Sequence, residues 1–278
     1  MIRFSRAVLF ASCVGSAAVV SGAPVIAQSA DSSKSQLTPL FTRKDAYVGA
    51  AFAVTTLLLF PLDRRIAREL QDSATQANRF FGGAATDFER AAAPGAYLVG
   101  GALYAVGRLA HQDRMADLGL HETEAVFMAI QITDIVKGLA GRARPNVVGD
   151  SLPENFRFGR GLRAKTGYTS FPSGHTAKAF GAASAVTAEM MRWHPGSTWI
   201  VGPLMYGSAL VVGLARMYHN AHWASDVALG AGIGTFSGLK VVRYNHTHPH
   251  NRLDRWLLGA HVAPDSRGGV AVSFDLER

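Results

Sequence analysis

The chain has 278 residues, of which 48% are hydrophobic and only 17% are charged. A chain of this length is long enough to bury a hydrophobic core. Its charged fraction lies below the roughly 25% usual in soluble domains. Lys and Arg number 28 against 20 Asp and Glu, which gives a formal net charge of +8. This balance favours either a protein of buried helices or one that lives in or on a membrane.

The first 27 residues have the pattern of an export signal. Arg3 and Arg6 supply the positive end, residues 7–20 form an uncharged and mostly apolar run, and residues 25–27 offer a site for cleavage. We predict that residues 1–27 are a signal peptide and that the protein is exported to the periplasm or cell envelope. An uncleaved membrane anchor is the alternative.

The chain contains one cysteine, Cys13, and it lies inside this signal. The mature protein would therefore have no thiol, which excludes disulfide bonds and thiol catalysis. Lipidation at Cys13 is a weaker alternative, because few apolar residues precede it.

The rest of the chain is organised as a leader, one domain and a tail. Residues 28–44 lack apolar periodicity and are predicted to be a flexible leader. Apolar segments without strict alternation follow, and they predict helices. These segments are 46–61, 94–109, 122–140, 176–191, 198–215 and 224–240. We predict an all-α fold for residues 45–245, a helical bundle of about six core helices.

The tail, residues 246–278, has a different pattern. Val270, Val272, Phe274 and Leu276 alternate with other residues after a Gly-Gly pair, which predicts a short β-hairpin.

Two of the apolar segments are marginal candidates for membrane spans, which need about 20 apolar residues. They are 46–61 and 198–215, whereas 122–140 carries four charged side chains. If six spans followed a cleaved signal, the loop after the third helix would lie in the cytoplasm, where an exported enzyme would not have its site. We therefore favour an exported helical domain and leave membrane association open.

The first polar motif is "KGLAGRARP", which contains Lys137, Arg142, Arg144 and Pro145. We expect Pro145 to end the third helix, with the cations at its C-terminal end. The helix dipole alone would explain cations in that place.

The second motif is "FPSGHTAKAF", residues 171–180. Ser173 and Gly174 stand where a helix begins, and His175 lies in its first turn. Free backbone N–H groups, a hydroxyl and the positive end of the helix dipole form an anion-binding site. An ordinary serine cap is the alternative, and it leaves His175 unexplained.

The third motif is "ARMYHNAHWASDV", residues 215–227. His222 and Asp226 are spaced to share one face of a helix. A carboxylate bonded to one ring nitrogen leaves the other nitrogen free to attack, and Arg216 offers a planar fork for phosphate oxygens. A polar helix end with a surface ion pair is the alternative.

Together, in this order, the three motifs resemble those of the phosphatidic acid phosphatase type 2 / vanadium-dependent haloperoxidase superfamily, which includes bacterial acid phosphatases. One departure is visible, since Ala215 stands where the family often has serine. The resemblance implies a helical bundle and a metal-independent phosphatase without a cofactor.

The resemblance also implies a role for each residue. His222 would attack phosphorus and form a phosphohistidine, Asp226 would orient it, and His175 would act as general acid and then activate water. The groups implied to bind the phosphoryl oxygens are Lys137, Arg144, Ser173, Gly174 and Arg216.

Two other functions stay open at this point. In a vanadate-dependent haloperoxidase His222 would ligate vanadium, and a non-catalytic envelope protein of the same fold would bind phosphate groups or lipids. The expected partner is a phosphorylated small molecule or lipid, either monoester or diphosphate, whose leaving group the sequence does not identify. Nucleic acid is not expected, because no reading motif appears. The oligomeric state is left open.

Three further features are noted. Seven basic residues against two acidic ones lie between Lys137 and Tyr168, where an anionic substrate would arrive. His219 could line the pocket or be structural. His246, His248 and His250 could bind a metal, but no neighbouring carboxylate or cysteine in the sequence completes a site.

Overall fold

The computed structural model describes residues 39–149, 151–163, 167–248, 260–264 and 270–274. Ten α-helices and two strands lie within these ranges, so the prediction of an all-α bundle is confirmed. The helices are α1 (Arg43–Leu59), α2 (Asp63–Leu70), α3 (Ser73–Gln76), α4 (Arg79–Leu109), α5 (Asp113–Ala140), α6 (Pro145–Val148), α7 (Arg160–Arg163), α8 (Gly174–Trp193), α9 (Thr198–Tyr218) and α10 (Ala224–Thr247). Short 3-10 turns, Phe60–Leu62 and Pro195–Ser197, precede α2 and α9.

Each of the six predicted apolar segments overlaps one of the long helices α1, α4, α5, α8, α9 and α10. The largest difference is at α4, which begins at Arg79 although the apolar segment starts at residue 94. Asn78 caps this helix, since its side chain accepts hydrogen bonds from the N–H groups of Phe80 and Phe81. The cap therefore sets the start of the helix, and polar residues extend it beyond the apolar stretch.

Helix α8 lies at the centre and contacts α5, α9 and α10. Its contact with α10 is made through backbone atoms. A Cβ added to Gly234 would lie 2.3 Å from the carbonyl oxygen of Ala177, and one added to Gly238 would lie 2.6 Å from that of Gly181. Because there is no room for side chains at these crossings, glycine is required there, and the two helices are held at a short distance.

The three polar motifs meet at one end of this bundle, where α5 and α9 end and where α8 and α10 begin. Backbone hydrogen bonds connect the segments. The Ser173 N–H donates to the Asp226 carbonyl at 2.9 Å, and the Asn146 N–H donates to the Asn220 carbonyl at 3.2 Å. The fold thus brings together residues that are 53 and 74 positions apart in the chain.

Helices α1 and α9 expose apolar side chains on the outside of the bundle. Leu57 is 66% exposed on α1, and Trp199 and Leu204 are 75% and 64% exposed on α9. The segments Arg43–Leu70 and Pro195–Tyr218 are long and apolar enough to cross a membrane, and only 6% and 28% of their most apolar windows are buried. They contain the two segments that the sequence marked as marginal spans.

The chain ends of the predicted domain differ slightly from the prediction. Arg43 and Lys44, assigned to the flexible leader, form the first turn of α1, which is capped by Thr42 and Asp45. At the other end α10 continues to Thr247. The predicted signal peptide and the predicted leader up to residue 38 lie outside the described residues.

Two strands are described in the tail, β1 (Ala260–Pro264) and β2 (Val270–Phe274). They pair antiparallel, with Val262 opposite Val272. The connection between them and Leu276 lie outside the described residues, so the predicted hairpin stays a prediction.

Candidate active site

Helix α5 ends differently from the prediction. Gly141 ends it in the left-handed conformation, at φ 54°, and Pro145 begins the short helix α6 instead of stopping α5. Glycine is the residue that adopts this conformation without strain, so it serves as the helix stop. As a result Arg142 and Arg144 lie in a loop after the helix, where their side chains can turn toward α8 and α10.

The start of α8 combines a helix cap with a cation. Ser173 is fully buried and caps the helix, and its Oγ accepts a hydrogen bond from the Thr176 hydroxyl at 2.8 Å. The serine cap that the sequence offered as an alternative is therefore present. The Lys137 ammonium lies directly above Gly174, because a Cβ at that position would be 2.6 Å from Nζ. His175 follows in the first turn.

His222 and Asp226 do not share a helix face, and this part of the prediction was wrong. Helix α10 begins at Ala224, so His222 lies in the preceding turn. The reason is local: Asp226 Oδ2 accepts the Trp223 N–H at 2.9 Å, which fixes the helix start after His222.

The His222 ring is oriented mainly by a backbone carbonyl. Its Nδ1 lies 2.7 Å from the Ser170 carbonyl oxygen and 3.5 Å from Asp226 Oδ2. Because a carbonyl can only accept, Nδ1 carries the proton, and the lone pair of a neutral ring is then on Nε2. The Ser170 hydroxyl donates to Asp226 Oδ2 at 2.5 Å, so Asp226 holds the segment that holds His222. No pattern in the sequence identifies Ser170.

The pKa values of both histidines are strongly lowered. Burial is the largest cause for His222, whose pKa falls to about 4 although Asp226 opposes the shift. Burial also lowers the pKa of His175 to about 4, and the charges of Lys178, His222, Lys137 and Arg144 add to the effect. Both imidazoles are therefore neutral near pH 7 in the absence of substrate.

Arg142 connects the site to the start of α2, and its role was missed in the sequence. Its side chain is fully buried. Nη1 donates to Asp226 Oδ1 at 2.5 Å, and Nη2 donates to Asp63 Oδ2 at 2.6 Å. Ser225 completes the cluster, since its hydroxyl donates to Asp63 Oδ2 at 2.5 Å and its backbone N–H donates to Asp63 Oδ1 at 2.9 Å. Arg142 thus bridges two buried carboxylates from distant parts of the chain.

Aromatic rings enclose the Arg142 guanidinium. Its central carbon lies 4.8 Å from the ring centre of Phe156 and 4.9 Å from that of Phe60, and two further rings are at 5.4 Å and 5.8 Å. The aromatic rings attract the guanidinium cation through cation–π interactions and exclude water from it. Burial would raise the pKa of Asp226, but the Arg142 charge together with the hydrogen bonds from His222 and Ser170 keeps it below its usual value.

Arg216 is buried at the same end of the bundle, with 7% of its surface exposed, and does not point into solvent. Its Nη1 donates to Glu89 of α4, and Nδ1 of His219 contacts the other oxygen of Glu89. Nε of Arg216 has no hydrogen-bond partner among the described residues. His219 therefore lines the site beside Arg216, and Glu89 is a second residue that the sequence did not identify.

Arg144 lies near His222, whereas Arg160, one of the basic residues between Lys137 and Tyr168, contacts the loop itself. Arg144 is half-buried, and its Nη1 lies 3.5 Å from the Ala221 carbonyl, one residue before His222. Arg160 donates to the Gly141 carbonyl and stacks on Tyr168 at 4.0 Å, so it fastens the loop.

Replacing Glu89 with Gln should strengthen the binding of inorganic phosphate several-fold. The carboxylate is an anionic competitor for the Arg216 guanidinium, and the neutral amide would leave that cation to the phosphate oxygens. The inhibition constant of phosphate against ester hydrolysis measures the effect. His219→Gln is the matched control, because it keeps Glu89 charged. An unchanged or weaker inhibition by phosphate in Glu89→Gln would show that Glu89 does not compete for Arg216.

Comparison with known proteins finds a matching family model, similar relatives and a similar fold. Residues 121–249 match the model of the PAP2 superfamily. Over 85 residues, 30% of this chain, the sequence is 39% identical to a lipid A 1-phosphatase of Porphyromonas gingivalis. Over 168 residues, 54% of this chain, it is 28% identical to lipid phosphate phosphatase 1 of Arabidopsis thaliana. The matched segments span 18% and 50% of those two relatives.

Among solved structures, the fold is similar to that of a transmembrane PAP2 type phosphatidylglycerolphosphate phosphatase from Bacillus subtilis. The TM-score is 0.54 at 17% sequence identity, and the superposition covers 74% of this chain and 97% of the other. At this level of identity the likeness concerns the fold.

Proposed function

Because residues 121–249, which include all three motifs, match the model of the PAP2 superfamily, we propose that this protein is a phosphatase that hydrolyses lipid phosphates through a phosphohistidine. The observation that carries the proposal is the state of His222. Its Nδ1 proton is fixed on the Ser170 carbonyl, and burial keeps the ring neutral, so Nε2 offers a lone pair. A neutral imidazole with one nitrogen anchored is the form that attacks phosphorus.

In the first step, Nε2 of His222 attacks phosphorus and the bond to the leaving alkoxide breaks. His175 gives its proton to that alkoxide. The site reaches this protonation state by binding substrate, because a phosphate dianion beside His175 offsets the cations that lower its pKa. Lys137, Arg144 and Arg216 bind the phosphoryl oxygens, and so do the Ser173 hydroxyl and the Gly174 N–H.

In the second step, neutral His175 accepts a proton from water, the hydroxide oxygen bonds to phosphorus, and the bond to His222 breaks. This returns His222 to its neutral form and releases phosphate. The cations supply the electrostatic stabilisation, so the proposed reaction requires neither a metal nor a cofactor.

A lipid substrate is supported by the similarity to a lipid A 1-phosphatase and a lipid phosphate phosphatase and by the exterior of the fold. In this proposal α1 and α9 cross the bilayer, and their exposed apolar side chains face lipid. Helix α2 starts beside the site at Asp63 and exposes Arg64, Arg65 and Arg68, which suits the anionic head groups at a membrane surface.

Two substrates in which the same kind of bond is cleaved test the proposal. Phosphatidic acid in mixed micelles and glycerol 3-phosphate in water both release phosphate from a primary glycerol oxygen. We expect kcat/KM to be at least about 100-fold higher for phosphatidic acid, because acyl chains add apolar binding that the soluble ester lacks. Equal values would contradict a lipid substrate. Halide oxidation with vanadate and peroxide, run in parallel, would indicate a haloperoxidase instead.

A further inference from the structure

A second cluster of ionisable side chains lies at the other end of the bundle. His121 of α5, Glu189 of α8 and His246 of α10 meet there. His121 Nδ1 lies 2.6 Å from Glu189 Oε1, and His246 Nε2 lies 2.8 Å and 2.9 Å from the two carboxylate oxygens. Glu189 and His121 are the carboxylate and the further histidine that the sequence around His246 lacked.

The cluster is independent of the proposed phosphatase site. Along α8, Glu189 follows His175 by 14 residues, which corresponds to about 21 Å at 1.5 Å per residue. Glu189 is fully buried, and His121 is 2% exposed. The proposed reaction uses none of these three side chains.

His248, the next histidine along the chain, does not join the cluster. The ring of His248 stacks on Tyr244, with 4.4 Å between ring centres. His250 lies outside the described residues. Of the two histidines in this segment that the structure describes, His246 belongs to the cluster, and the fold supplies the other donors.

The donor set is that of a zinc site. Two imidazole nitrogens and one carboxylate oxygen are ligands that zinc accepts, with bonds of about 2.0–2.2 Å and separations between ligand atoms of about 3.4 Å. The three donor atoms here all lie within 4.8 Å of one another. The His121 and His246 rings meet edge to face at 5.4 Å, so a small outward movement of both rings makes room for the ion.

Charge also favours a cation in this place. The carboxylate of Glu189 is fully buried, both of its oxygens contact imidazole nitrogens, and a cation held by the three side chains would be paired with this carboxylate. Asp117 lies one helical turn before His121 on the same face of α5, where it can supply a second carboxylate or bind a zinc-held water.

We propose that His121, Glu189 and His246 bind one zinc ion, which ties α5, α8 and α10 together at the end of the bundle opposite the phosphatase site. The three ligands belong to three different helices. The ion therefore acts as a structural link between them, and its binding should stabilise the folded protein.

Zinc binding by the untagged full-length protein in detergent tests this proposal. After dialysis against micromolar zinc, elemental analysis should find about one zinc per chain, and added zinc should raise Tm. Glu189→Gln and His246→Gln should each weaken zinc binding by more than about tenfold, since each removes one ligand. His248→Gln is the matched control on the same segment and should bind zinc like the wild type.

The zinc result is separable from the phosphatase result, because His222→Ala should retain its zinc. The wild-type titration does not depend on whether any variant folds. Zinc well below one per chain in the wild type, or an equal loss in His248→Gln and Glu189→Gln, would overturn the site and leave the cluster as a hydrogen-bonded link.

Discussion

Replacing His222 with Ala should lower the rate of phosphatidic acid hydrolysis by at least about 10⁴-fold and abolish the acid-labile phosphoenzyme. The variant has no nucleophile, and water held by the same cations attacks far more slowly. Loss of the 2.7 Å hydrogen bond leaves the carbonyl of the fully buried Ser170 without this donor and should cost about 1–3 kcal/mol, so the fold should survive. Rapid quenching with ³²P-labelled lipid, followed by alkaline gel electrophoresis, measures the trapped phosphate.

His194→Ala is the control for this experiment. His194 is exposed at the far end of α8 and should leave both hydrolysis and the phosphoenzyme unchanged. His222→Asn provides a second variant that retains a polar side chain at the position. Normal labelling in either His222 variant would contradict the assignment of His222 as nucleophile. The nucleophile would then be another group.

The way His222 is oriented shows where sequence reasoning succeeds and where it stops. Spacing identified His222 and Asp226 as a pair, and the fold does place them 3.5 Å apart. The expected helix face was wrong because Asp226 accepts a hydrogen bond from the N–H of the N-cap residue Trp223, so the helix begins at Ala224, two residues after His222. Spacing gives the distance along a chain, whereas a capping bond decides where the helix begins.

Partners from distant segments could not be predicted in the same way. Asp63 and Glu89 stand in stretches with no motif, and they reach the site because α2 and α4 pack beside it. Arg142 was visible in the sequence, but the helix dipole already explained a cation there. Its real environment depends on Gly141 turning the chain, so that Arg142 enters the core.

The helices themselves were easier to predict, because apolar composition is a local signal that survives packing. The six predicted segments overlap the six long helices, and the errors are at the ends. At α4 the error is 15 residues, since Asn78 caps the helix well before the apolar stretch at residue 94. The end of a helix depends on capping residues and on polar residues that continue the helix. Helix ends are therefore harder to predict than the presence of a helix.

Replacing Arg142 with Lys should lower kcat by about 10- to 100-fold with little change in KM. The lysine keeps the charge but cannot bridge Asp226 and Asp63 with two separate donors, as Nη1 and Nη2 do at 2.5 Å and 2.6 Å. Asp226 would then hold Ser170, and through it His222, less firmly. Since Arg142 is buried away from substrate, binding should suffer less than the chemical step.

Arg144→Lys gives the contrasting result and serves as the matched control, because Arg144 is proposed to bind phosphoryl oxygens and its loss should raise KM. Arg142→Met should also destabilise the fold by about 3–5 kcal/mol, since it leaves two carboxylates buried without a cation. Adding Asp63→Asn removes one of those charges, so the double variant should be more stable than Arg142→Met alone. Additive losses of stability, or a rise in KM in Arg142→Lys equal to that in Arg144→Lys, would show that Arg142 does not act by positioning Asp226.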